Sequence, residues 1–329
     1  MILHQNKELF RQAIQATAQQ MNLRDVYIEK DYWVTYALYT IFNHDIGKET
    51  VFKGGTALSK CYKLIERFSE DIDLVVIRTS EETDNQLKKK IRTISNVMKN
   101  VMPEVHVEGI TKKMGMNRKT AHSYEKVFKG DYGQIRDVII VEATWLGYYE
   151  PYTKRTISSY IYDMMLATGQ AGMTKEYDLL PFDVQVLDSR RTICEKIMSL
   201  VRFSYTENPI GDLQQKVRHT YDLHQLLKDE ELLAFFQSKD FDTMLLKVGQ
   251  DDVASYKSNN KWLVHHPNES LLFGDLQNTW NQMKETYSNN FKHLVYGNLP
   301  DEAAIYATLE NIKNRLQQIA WNVQLDIKP

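Results

Sequence analysis

Apolar side chains recur at helical spacing over residues 7–20 and again, with more aromatics, over residues 25–42, which predicts two core-facing helices. The second stretch carries a run of charge, Glu29, Lys30 and Asp31, inside otherwise apolar sequence. By its local pattern that run reads as a solvated stripe of the helix. Residues 51–53 read as a short strand, Gly54-Gly55 breaks it, and a helix is expected over 56–65. Residues 71–77 are apolar and β-branched apart from two acids, the pattern of a buried strand. A helix follows over 84–101, with Lys88, Lys89 and Lys90 as an exposed run. Strands are expected at 104–108 and 121–128, joined by a polar connection carrying Lys112, Lys113, Arg118 and Lys119. Residues 136–146 form another buried strand interrupted by Glu142, and 182–187 the last one. From Ser189 the period is almost wholly helical through Gln324.

This order predicts an α/β (α+β) chain: N-terminal helices, a small mixed sheet with flanking helices, and a mainly helical C-terminal half. The seam is placed near residue 190, giving a core of 1–190 and a helical domain of 191–329. With only 14 Gly and 7 Pro in 329 residues, long disordered linkers are disfavoured. The net charge of −2 excludes a molecule that attracts polyanions as a whole, so any nucleic acid must meet a local basic patch. Cys61 and Cys194 lie far apart and form no CxxC pair, which argues against a disulfide framework or a zinc cluster and makes a reducing cytoplasm the expectation. The first residues lack the pattern of a signal peptide, and no apolar run approaches the roughly 18 residues of a membrane span.

The chemistry concentrates in VFKGGTALSKCYKLIERFSEDIDLVV, residues 51–76. A strand enters a Gly-Gly turn, a helix opens, and the chain returns as a strand bearing Asp71-Ile72-Asp73. Gly54 and Gly55 would let a phosphate approach the backbone at a helix start. Alternation along the strand projects Asp71 and Asp73 to one face while Ile72 enters the core. Two such carboxylates suit Mg²⁺, which takes one or two protein acids together with substrate phosphates. An Asp-x-Asp is often a solvated strand end, but here both acids interrupt an apolar run where unpaired charge is costly. The stretch is not a P-loop: six positions on from Gly54 stand Ser59, Lys60 and Cys61 where glycine, lysine and a hydroxyl residue are needed. His265-His266 has no further ligand at metal spacing, and neither GxSxG nor HExxH occurs.

The string GGTALSKCYKLIERFSEDIDL resembles the AbiEii/AbiGii toxin family, nucleotidyltransferases of type IV toxin–antitoxin and abortive-infection systems within the polymerase-β-like superfamily. IEKDYW upstream, RRTICEKIMSL and RHTYDLHQLL downstream are similar to further motifs of that family, in the same order, over roughly residues 25–230, and for Glu29, Lys30 and Asp31 the resemblance revises the solvated-stripe reading. The resemblance implies a bacterial, cytoplasmic toxin with a separately encoded antitoxin. It also implies Mg²⁺-dependent transfer of a nucleotide from a nucleoside triphosphate, with pyrophosphate released. Gly54, Gly55 and Thr56 match the phosphate-facing turn, and Asp71 and Asp73 the metal-binding pair. Glu142 falls where a third acid is placed, as metal ligand or base, with a strand carboxylate paired to a neighbour as the alternative. Lys196 matches a lysine expected at the phosphates, and Asp222 the acid of the last motif. Arg218, four residues before Asp222, would contact nucleotide or form an ion pair with Asp222 on one helix face. Ser69 would lie near the triphosphate or simply form a turn, and the role of His219 stays open. Lys53 and Lys60 would be secondary phosphate contacts or solvated cations.

The acceptor expected is RNA, such as a tRNA 3′ end, to which Lys88–Lys90 and the 112–119 connection lend positive charge. The alternatives are a small-molecule nucleotidyltransferase of the aminoglycoside-modifying kind, which would need an acidic acceptor cleft, and a non-enzymatic nucleotide-binding regulator acting by sequestering a partner.

Overall fold

The computed structural model describes residues 1–130, 132, 135–256 and 259–325. The chain forms two compact units. Unit 1 comprises Met1–Lys63 and Phe68–Leu187; unit 2 comprises Leu64–Arg67 and the chain from Asp188 onward. Among the described residues no helix is long and apolar enough to cross a membrane.

Unit 1 begins with α1 (Lys7–Met21) and α2 (Asp25–Phe42). Next come β1 (Thr50–Lys53), the single turn α3 (Gly54–Ala57), β2 (Ile72–Val76) and α4 (Asp84–Lys99). Four strands follow: β3 (Glu104–Val105), β4 (Lys112–Lys113), β5 (Asn117–His122) and β6 (Ile139–Thr144). The unit closes with β7 (Tyr152–Ile157), α5 (Tyr160–Ala167), α6 (Ala171–Glu176) and β8 (Phe182–Leu187). The strands form one mixed sheet in the order β3-β5-β6-β2-β1-β8-β7, with β4 paired to β5. β2 runs parallel to β6 and β1 parallel to β8, whereas β1 and β2 are antiparallel neighbours. Buried apolar residues of the central strands, among them Val51, Phe52, Leu74, Val75, Val141 and Val186, build its core.

The charged run of α2 departs from its local pattern, as the resemblance of IEKDYW to a family motif already implies. Glu29, Lys30 and Asp31 are not a solvated stripe; they are 0%, 0% and 4% exposed. Asp31 accepts from Lys60 Nζ at 2.6 Å and from the Tyr160 amide at 2.9 Å. Lys30 Nζ lies 3.2 Å from Glu70 Oε2 and donates to the carbonyls of Arg136, at 2.7 Å, and Val138. Glu29 accepts from the amides of Val127 and Phe128 at 2.6 and 3.1 Å. Burial pushes Lys30 down and Glu29, Asp31 and Glu70 up from their usual values, so each ion depends on its partner.

Other differences are local. The helix expected over 56–65 is α3 followed by a π-helical turn at Leu58–Tyr62, closed by Lys63 in the left-handed region (φ 54°). The strand expected at 121–128 starts earlier, as β5, because its six residues pair fully with β6. Beyond it, the amides of Val127 and Phe128 are taken by Glu29 rather than by a strand. The 112–119 connection is a β4–β5 hairpin, with Lys112 opposite Lys119 and Lys113 opposite Arg118. Lys90 does not share the exposure of Lys88 and Lys89, since its ammonium is held by Glu49 at 2.6 Å and Glu82 at 2.5 Å.

Unit 2 is helical: α7 (Ser189–Phe203), α8 (Pro209–Gln215), α9 (Arg218–Leu226), α10 (Glu230–Gln237) and α11 (Lys239–Ser255). Then come α12 (Leu271–Gly274), α13 (Leu276–Glu285) and α14 (Glu302–Leu316). Ile193, Ile197, Leu200 and Val201 of α7, and Ile305, Leu309, Ile312 and Leu316 of α14, form the buried stripes that the periodicity predicts. Leu64–Arg67 joins this unit through the Glu66 carbonyl, which accepts from the amides of Tyr296 and Gly297 at 3.0 and 3.2 Å.

The Asp31–Lys60 pair yields a stability prediction. Asp31→Ala strands a buried ammonium and should cost about 3–5 kcal/mol. The double change Asp31→Leu with Lys60→Met should recover much of that loss. Denaturant unfolding of the two single variants and the double variant measures the coupling; simple addition of the two single losses would refute a mutually dependent pair.

Candidate active site

The site is built where β1 turns into α3 and the chain returns as β2. Gly54 has φ +82°, a conformation that favours glycine, and a Cβ placed there would lie 2.3 Å from Asp73 Oδ2. Backbone conformation and the neighbouring carboxylate thus both demand glycine at this position. Thr56 Oγ1 donates to the Asp71 carbonyl at 2.6 Å, and the hydroxyls of Thr56 and Ser69 lie 3.0 Å apart. With the Thr56 proton committed to that carbonyl, Ser69 is the donor to Thr56. The turn residues therefore lock the entry to β2.

Sheet register then aligns four side chains in one row. Lys53 of β1 faces Asp73 of β2, Asp73 lies beside Glu142 of β6, and Glu142 faces Lys119 of β5. Registered neighbours share a face; Asp71 lies just before β2, not within it as expected, and is near enough for its charge to act on Asp73. Burial, then the charges of Asp71 and Glu142, push Asp73 up to about 6. Glu142 is pulled the other way: against the effect of burial, Lys119 and Asn117 hold it below its usual value. Its oxygens accept from Lys119 Nζ at 2.9 Å and Asn117 Nδ2 at 2.8 Å. Asp71 is partly exposed, with Arg136 Nη1 3.3 Å from its Oδ1.

Among the described residues no three acid, histidine or cysteine side chains converge into a ready metal cage. Asp71 and Asp73 nevertheless fit a divalent ion that keeps other ligands. They are hard oxygen donors two residues apart, and a cation would offset both the burial of Asp73 and the repulsion from Asp71 and Glu142 that together raise its pKa. Glu142 stands beside them as a carboxylate already paired. Lys60 is not free to serve the turn, since its ammonium is buried against Asp31 and the Ser158 carbonyl.

In unit 2 the expected residues Lys196 and Asp222 meet directly, with Lys196 Nζ 2.6 Å from Asp222 Oδ2. Asp222 also receives a two-pronged contact from Arg67, whose Nε and Nη2 donate at 2.6 and 2.8 Å. The two cations outweigh burial and hold Asp222 far below the usual carboxylate range. The alternative of an Arg218–Asp222 ion pair is therefore not formed. The Arg67 fork and Lys196 take the carboxylate, and the Arg218 side chain has no hydrogen-bond or ion-pair partner among the described residues. His219 Nδ1 lies 3.5 Å from Lys196 Nζ, and burial together with the Lys196 and Arg218 charges keeps its imidazole neutral.

The sequence reading missed Arg67, Glu70 and Arg136. A signal existed for the first two, which lie within the string GGTALSKCYKLIERFSEDIDL.

No curated protein matches the chain. The family model for the nucleotidyl transferase AbiEii toxin, a type IV TA system toxin, matches residues 36–310, most of the chain, and the protein belongs to that family.

Proposed function

We propose that this toxin transfers a nucleotide from a nucleoside triphosphate to RNA, such as a tRNA 3′ end, and that its growth-arresting action is countered by a separately encoded antitoxin. The acceptor hydroxyl oxygen forms a bond to the α-phosphorus, the α–β phosphoanhydride bond breaks, pyrophosphate leaves, and the hydroxyl proton passes to water. The observation that carries this reading is Asp73 on β2 standing over Gly54, with Asp71 just before that strand and its charge acting on Asp73. Asp71 and Asp73 would hold Mg²⁺, which supplies charge neutralisation and orientation of the phosphates. Gly54, Gly55 and Thr56 form the turn proposed to receive the triphosphate, with Ser69 bonded behind it. Glu142, tied to Lys119 and Asn117, suits the role of a fixed negative charge beside the pair better than that of a base. Lys196 is proposed as a point charge for phosphate, kept in place by Asp222, and Arg218 as a second cation for the nucleotide. The RNA reading draws on exposed Lys88, Lys89 and Lys112, whereas Lys113 is paired with Glu104 and Lys119 with Glu142.

Asp73→Asn tests the enzymatic reading. The variant should fold, and without divalent ions it should be at least as stable as the parent at neutral pH. Ionising a group whose folded pKa is raised to about 6 opposes folding. The advantage of asparagine should therefore be full above pH 6 and vanish as pH falls towards the ordinary carboxylate value of 3.8. Label transfer from a triphosphate to RNA should drop by orders of magnitude, and growth arrest with it. Full toxicity in a folded variant without transfer would instead support partner sequestration.

The hairpin provides a test of the acceptor. Lys112→Glu combined with Lys113→Glu should weaken RNA binding and flatten its salt dependence, leaving triphosphate affinity nearly unchanged. An unaltered slope of log affinity against log salt removes the hairpin from the RNA surface.

A further inference from the structure

Arg136 precedes β6 and is held through its backbone. Its backbone is gripped at both polar groups: the amide donates to Glu70 Oε1 at 2.9 Å and the carbonyl accepts from Lys30 Nζ at 2.7 Å. Lys30 also holds the Val138 carbonyl two residues on. The gripping pair is buried, Lys30 on α2 and Glu70 in the segment before β2, and its ions lie 3.2 Å apart. The side chain held in this way is not buried. It is 42% exposed and reaches back to Asp71 Oδ1 at 3.3 Å, with Glu70 Oε1 3.8 Å away. A desolvated ion pair is a costly means of fixing one loop residue, and the group it aims is a guanidinium at the rim of the carboxylate pair.

We propose that Arg136 grips the non-bridging oxygens of the triphosphate tail, and hence of the departing pyrophosphate, as a substrate-contacting residue of this site. The inference rests on the reading of Asp71 and Asp73 as the metal-holding pair. Before substrate arrives, the guanidinium is the counter-ion of Asp71. Once that carboxylate is committed to a divalent ion, a planar fork of N–H donors at the same rim is left to a phosphate, for which its geometry is suited. A solvent-facing side chain on a fixed backbone can make this change without disturbing the core. The adjacent buried ammonium ions cannot, since Lys30 and Lys60 are committed to Glu70 and Asp31.

The test compares wild type, Arg136→Ala and Arg136→Lys. It measures binding of Mg²⁺ alone, of an α,β-methylene triphosphate with saturating Mg²⁺, and of inorganic pyrophosphate, together with label-transfer kinetics. The expected result is a tenfold or greater loss of analogue affinity and rise in triphosphate KM in Arg136→Ala. Pyrophosphate should weaken in parallel, lysine should recover part of the loss, and the KM for RNA and the unfolding midpoint should stay put. Unchanged analogue and pyrophosphate affinity with tighter Mg²⁺ binding would make Arg136 a counter-ion only and overturn the proposal. A rise confined to the RNA KM would overturn it too, placing the guanidinium on the acceptor. Absence of label transfer by wild type would count against the enzymatic reading, while the analogue and pyrophosphate measurements would still decide the role of Arg136.

Discussion

Unit 1 is organised by the cost of burying three consecutive charges on one helix. Glu29, Lys30 and Asp31 cannot all face water, because α2 is enclosed by the sheet and its neighbours, and none can stay buried without a partner. Their partners come from different parts of the chain. Glu29 takes the amides of 127 and 128, Lys30 takes Glu70 and the carbonyls of 136 and 138, and Asp31 takes Lys60 and the start of α5. Less than two turns of helix therefore fix the segment entering β2, the segment entering β6 and the turn that follows α3. Those are the connections that set where Asp71, Asp73 and Arg136 stand. A hydrophobic replacement of similar volume could match the stability of such a network but would lose its directional hold on backbone groups.

The carboxylate row depends equally on strand register. Asp73 meets Lys53 on one side and Glu142 on the other because β1, β2 and β6 align at that level, and Glu142 meets Lys119 one strand further on. A slip of one residue in β2 would turn both aspartates into the core and Ile72, now fully buried, to the outer face. Fixing the register is then also fixing the electrostatics. Gly54 adds a steric condition, since any side chain there would collide with Asp73 Oδ2.

Much of this was legible in the sequence, and what was not has physical reasons. α1, α2, β8 and the Asp-x-Asp strand followed from periodicity, because each buries one face or both. The local pattern of the charged run of α2 suggests a solvated stripe because it carries no word of partners 29 to 106 residues away, such as Lys60, Glu70 and Arg136; only the resemblance of IEKDYW to a family motif spoke against that. β7 escaped because it is exposed on both faces over Tyr152–Thr156 and so shows no alternation. The β4–β5 hairpin read as a loop because its cross-strand pairs, Lys112 with Lys119 and Lys113 with Arg118, are of like charge and disfavoured in isolation. They are tolerated because Glu104, Ser95 and Glu142 engage Lys113, Arg118 and Lys119. Spacing offered an Arg218–Asp222 ion pair as the alternative to a nucleotide contact, but a fork from Arg67 satisfies both carboxylate oxygens and i,i+4 proximity offers no comparable geometry.

Charge balance links the row to its proposed ligands. On the sheet face the three acids Asp71, Asp73 and Glu142 are set against the three cations Lys53, Lys119 and Arg136. The face is thus close to neutral, which explains how a protein can keep carboxylates so near each other and remain folded. Neutrality alone gives a polyphosphate no reason to approach. Adding a divalent cation to Asp71 and Asp73 would turn the same face net positive and offset the burial and acid repulsion that raise Asp73, so ion and nucleotide would each favour the other's binding. On this reading the balanced row is a polarity switch whose sign is set by the ion. A chain with overall charge −2 then needs no large basic surface to recruit a triphosphate.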